Sequence, residues 1–163
     1  MVMFTRRRVA TSVLLAVAVT LLIASNALWA YFYFTDEDRD SACLKEGAVA
    51  LAIILGHAGA MLDELSKGGG KEYLDYAAMA ADHAIIVAQA LYYLERTEPW
   101  KHLFSAVGEL HDAISEMYQG RVPSEEKLEQ VYVVLRQLSS ALKALDEKRI
   151  KELSKELIAV LKE

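Results

Sequence analysis

Four histidines, His57, His83, His102 and His111, are the side chains best able to do chemistry here, as ligands for a metal or a haem iron. A helical bundle houses such a site only where ligands project inward from facing helices. At about 100° per residue, His83 falls with Asp75, Asp82 and Gln89 on the polar side of its helix. His102 lies off the Trp100–Leu103–Val107 stripe, His111 borders the apolar face at Leu110, and His57 is roughly opposite the Leu55–Ala58 seam. These directions diverge. There is no Glu-x-x-His pair, the nearest sequence being Glu109-Leu110-His111, and no Cys-x-x-Cys-His haem attachment motif. His57, His83 and His111 stand as metal candidates that the spacing does not favour, and no cofactor is expected.

Asp82-His83 and His111-Asp112 are neighbours in sequence, so their side chains splay apart on a helix and need a third group to make an acid–base couple. Ser105, Ser115, Ser139 and Ser140 have no base in tandem. Gly68-Gly69-Gly70 lacks the Lys-Ser/Thr of a phosphate loop and is expected to be a turn. The single cysteine, Cys43, excludes an internal disulfide; it is either a buried thiol or the source of a disulfide between chains. No catalytic residue emerges, and the expectation is a protein that is not an enzyme.

The elements that carry these residues begin with a membrane segment. Residues 9–34 contain no charged residue, His, Pro or Gly, and Arg6, Arg7 and Arg8 precede them. At about 1.5 Å per residue the run crosses a hydrocarbon core of about 30 Å. Basic residues before it and the acidic 35–40 segment after it place the N-terminus in the cytoplasm and the rest outside, in a single pass. Trp29, Tyr31 and Tyr33 suit the headgroup layer at its far end. A cleaved signal peptide is the alternative, but the run extends past Ser25-Asn26-Ala27 through Phe34, and an uncleaved signal anchor is expected.

All 23 acidic residues but only 15 of the 18 basic ones follow Thr35, so the tethered part carries 15 − 23 = −8 with His neutral. That balance excludes a nucleic-acid partner, which needs a clustered basic surface. It also disfavours lying flat on anionic lipid.

After the anchor the pattern is helical throughout. Leu44, Ala48, Leu51, Leu55, Ala58, Leu62 and Leu65 stripe a helix over about 41–67. The next helix, about 72–97, carries two adjacent stripes: Leu74, Ala78, Ala81, Ile85, Ala88 and Tyr92, then Ala77, Ala80, Ala84, Val87, Leu91 and Leu94. Pro99 opens a third helix, closed by Gly120, and Ser124 caps a fourth that carries the heptad Leu128–Val131–Leu135–Leu138–Leu142–Leu145. At Asp146 the register slips before Ile150, Leu153, Leu157 and Val160, which means either a capped fifth helix or a stutter. Short connections predict an all-α fold: an N-terminal transmembrane helix, then an up-down antiparallel four-helix bundle with a short C-terminal helix. The expected units are a basic N-terminus at 1–8, a signal anchor at 9–34, an acidic linker at 35–40 and the bundle at 41–163. Residues 47–62 approach the length of a second span, but Lys45, Glu46, Asp63 and Glu64 close in on them, and a buried central helix is expected.

Tyr76, Met79, Ile86 and Tyr93 form a candidate partner surface on the second helix, unless the fifth helix covers them. Taken together, these features predict a non-enzymatic interaction module anchored in the cell membrane, a scaffold or accessory subunit with the lipid bilayer and a protein or its own copies as partners. An alternative is a ligand-sensing bundle that signals through a partner. In layout the chain resembles the extracytoplasmic four-helix domains of chemoreceptors, though no second span or signalling region follows Leu145. A metal- or haem-binding bundle is the third expectation.

Overall fold

The computed structural model describes residues 37–162, with side chains from 40 onward. The anchor segment with Arg6, Arg7, Arg8, Trp29, Tyr31 and Tyr33 lies outside the described residues. Five helices and no strand are found among the described residues: α1 (Glu37–Ser66), α2 (Lys71–Glu95), α3 (Glu98–Tyr118), α4 (Glu125–Ala144) and α5 (Glu147–Lys162). α1 thus takes in residues 37–40 of the acidic segment.

Local chemistry accounts for the breaks. Gly68 turns the chain at φ +85°, and the Gly69 N–H donates to the Glu64 carbonyl at 3.0 Å, closing the end of α1. Pro99 lies in the first turn of α3, where its missing N–H costs nothing. The Ser124 hydroxyl accepts from the Lys127 N–H at 3.3 Å and starts α4. The ambiguity at Asp146 resolves into two helices. Leu145 adopts the left-handed conformation at φ 51°, and Asp146 Oδ1 accepts from the Arg149 N–H at 3.0 Å, capping α5.

The partnerships of the helices follow from named contacts. A Cβ on Gly47 would meet Leu91 Cδ2 at 2.8 Å, so α1 and α2 approach closely and run antiparallel. The rings of Tyr92 and Phe104 stack at 6.1 Å and join α2 to α3. On the other side of α1, the Ala52 carbonyl accepts from Ser139 Oγ at 2.8 Å, and Gly59 faces Leu135 and Tyr132 of α4. α5 packs on both α3 and α4. Its Lys162 reaches Glu109 of α3 at 2.8 Å, while Lys127 of α4 donates to the Leu161 carbonyl at 3.0 Å. The expected short C-terminal helix is α5, whose Ile150, Leu153 and Leu157 are fully buried and belong to the common core. α5 therefore does not cover α2.

On α1, α3, α4 and α5 the core mixes Leu with Ala, Val and Ile, and Trp100 is fully buried among them. α2 contributes small residues instead. Its buried line is Leu74, Ala77, Ala81, Ala84, Ala88 and Leu91, which takes residues from both expected stripes. With alanine at so many positions, either stripe can face inward, and packing against α1 and α3 selects the line between them. Within the first expected stripe, Leu51, Leu55, Ala58 and Leu62 are fully buried. α1 is not buried all round, however, because Ile53 and His57 are exposed.

Candidate functional site

α3, α4 and α5 turn charged residues outward, among them Lys101, Asp112, Glu129, Arg136, Lys148 and Lys155. α1 and α2 do not. Tyr76, Met79, Ile86 and Tyr93 of α2 and Ile53 of α1 are between 49% and 58% exposed, and Leu94 is 44% exposed. On α2 the spacing of Tyr76, Met79, Ile86 and Tyr93 marks one continuous strip, with His83 and Ala90 between them. It looks away from the buried line.

No charged side chain stands on α1 between Glu46 and Asp63, and between Asp75 and Glu95 α2 has only Asp82. That carboxylate is drawn towards α3, where His111 Nε2 lies 3.1 Å from Asp82 Oδ1. Asp75 likewise accepts a hydrogen bond from Tyr118 of α3. The acidic groups of α2 thus line its α3 border, leaving the α1 side uncharged. Between α1 and α2 lies an apolar groove of about 530 Å³, lined by Ile54, His57, Met61, Tyr73, Tyr76, Ala80 and His83. The most apolar stretches of both helices are long and uncharged enough to cross a membrane, yet only 39% and 28% of those stretches are buried. A soluble surface seldom leaves an apolar patch of this extent uncovered.

Helical phase predicts four divergent histidines, yet two of them share a groove. His57 and His83 face the same groove from opposite walls. His102 Nδ1 lies 2.9 Å from the Glu98 carbonyl in its own helix. His111 has a carboxylate at each ring nitrogen, Asp82 at 3.1 Å and Asp112 at 3.3 Å. Asp82 is the third group missing from the His111-Asp112 pair, and only the pairing of α2 with α3 brings it there. No group of three or more His, Cys, Asp or Glu side chains suited to a metal occurs among the described residues. Cys43 is buried.

Two further features lie away from this face. A cavity of about 260 Å³ at the α3–α4 connection is lined by Leu62, Leu110, Met117, Arg121, Lys127 and Leu128, among others. The fully buried Trp100 has no hydrogen-bond partner for its Nε1–H among the described residues. Both depend on long-range packing that no local spacing announces. Comparison with family models, curated proteins and solved structures yields no match.

Proposed function

We propose that this chain is a non-enzymatic, membrane-anchored helical interaction module, a scaffold or accessory subunit of a membrane complex. The observation that carries the reading is the outward face of α1 and α2, where Ile53, Tyr76, Met79, Ile86 and Tyr93 are each about half exposed and Asp82 is the one charged residue among them. Burying apolar surface is worth roughly 25 cal/mol per Å², so a face of this kind gains most by acquiring a cover. The apolar run at 9–34 with its arginine flank supports a single-pass anchor with the N-terminus in the cytoplasm and the helical domain outside. The contacts of α1 with Ser139 and Leu135 support an up-down arrangement in which α1 belongs to the bundle, since α4 turns Glu129, Arg136 and Lys143 to solvent.

Crosslinked co-purification from detergent-solubilised native membranes, with N-terminal sequencing of the recovered chain, tests the reading. A stoichiometric protein partner, either another protein or a second copy, together with an intact Met1-Val2-Met3 start is the expected result. A lone polypeptide beginning near Leu28 contradicts it.

The cavity beside Leu62 and Leu128 favours a second reading, a ligand-sensing bundle acting through a partner. Arg121 in its lining pairs with Glu116 at 3.6 Å, and Lys127 is the cation left to meet an amphipathic carboxylate. A rise in melting temperature with such ligands, abolished by Lys127→Met, would support that reading.

A further inference from the structure

The outward face of α1 and α2 restricts what can cover it. We propose that its occupant is a second copy of this chain, the two faces meeting about a two-fold axis parallel to α1 and α2. The inference rests on the anchored-module reading above and names the partner for the same surface.

Area is the first argument. Six large side chains, Ile53, Tyr76, Met79, Ile86, Tyr93 and Leu94, are each about half exposed. At about 150–250 Å² for a large side chain they offer on the order of 600 Å². The half-exposed Ile54, Met61 and Ala80 beside the groove bring each copy towards the roughly 800 Å² that one side of a stable interface buries.

Register is the second argument. Gly47 of α1 stands level with Leu91 of α2, so the uncharged 47–62 stretch runs beside 76–91. Tyr76 to Tyr93 covers about 25 Å of helix at about 1.5 Å per residue. A two-fold axis parallel to the two helices sets the α1 strip of one copy against the α2 strip of the other, in register. Confinement to one bilayer raises the effective concentration of each copy for its partner.

Charge is the third argument. The tethered part has a net charge of −8, yet only Asp75 and Asp82 bring any of that excess to the strip, and their carboxylates are held by Tyr118 and His111 of α3, so self-association brings few like charges together there. The same excess acts against an anionic lipid surface as the cover.

A photo-crosslinking residue placed at Ile86 of the full chain, activated in native membranes, tests the proposal. The expected product has twice the chain mass and joins residue 86 to the 47–62 stretch of the other copy. Ile53→Glu, at an exposed position, should lower its yield at least tenfold with helical content unchanged, and a photo-crosslinker at Arg136 should give no such product. In lipid nanodiscs the full chain should count as two copies. A product with a different protein overturns the second-copy proposal and leaves the interaction module standing. A lipid adduct, or only single-chain products, overturns both, and a single copy per nanodisc also overturns the dimer.

Discussion

Tyr118 shows how a side chain on one helix is tuned by its neighbour. It donates its hydroxyl hydrogen to Asp75, and the Lys71 ammonium lies 5.7 Å from its ring centre. The hydrogen bond to Asp75, then burial, then the negative charge of Asp75 and Asp82 all raise its pKa above 10.0. A pKa raised in the folded state means that the proton is held more tightly there than in the unfolded chain. The resulting stability is fully present below the unfolded value of about 10 and is lost as pH rises through the higher folded one. Tyr118→Phe should therefore be less stable than the parent at pH 8, with the deficit shrinking as pH rises beyond 10, read from urea midpoints along that range. A constant gap across that range contradicts the assignment. Neither this pair nor Asp82–His111 is visible in the spacing of residues, because each joins positions far apart in sequence through the antiparallel pairing of α2 and α3. The sequence shows the types of these residues but not their partners.

At the scale of the element, the ends of helices were legible and the facing of α2 was not. Ser124, Pro99 and the glycine triplet act through their own backbone chemistry, so their effects stand without knowledge of the fold. α2 offers apolar residues on most of its circumference, and only the packing of α1 and α3 decides which of them are buried. Two substitutions test the turn chemistry. A Cβ on Gly69 would lie 2.6 Å from the Glu64 carbonyl oxygen, a backbone atom that cannot move aside cheaply. Gly69→Ala should cost roughly 1–3 kcal/mol. Arg96 ends α2 in the left-handed region at φ 50° with its side chain exposed. Arg96→Gly removes a Cβ penalty of about 1–2 kcal/mol against a chain-entropy loss of about 0.5–1 kcal/mol, and should stabilise by about 0.5–1 kcal/mol net. Thermal melts of the two variants should move in opposite directions; shifts of the same sign would show that these turns do not control the ends.

Across the whole molecule the asymmetry of the helices matters more than any single contact. Helices α3, α4 and α5 are amphipathic in the ordinary way, with a buried apolar stripe and a charged outer side. α1 and α2 bury alanines and leucines on one side and expose tyrosine, methionine and isoleucine on the other. The all-helical class was readable from heptads, but the place of α5 against both α3 and α4 was not, since a heptad records a buried face and not the neighbour that buries it. The central claim is that the outward face of α1 and α2 is covered in the membrane-bound protein. The most direct measurement is oxidative footprinting of the full chain in native membranes, compared with the purified chain in detergent below any association threshold. Met79, exposed in the isolated chain, should be protected at least several-fold in membranes, while the buried Met117 should react slowly in both. Equal reactivity of Met79 in the two preparations would contradict the account.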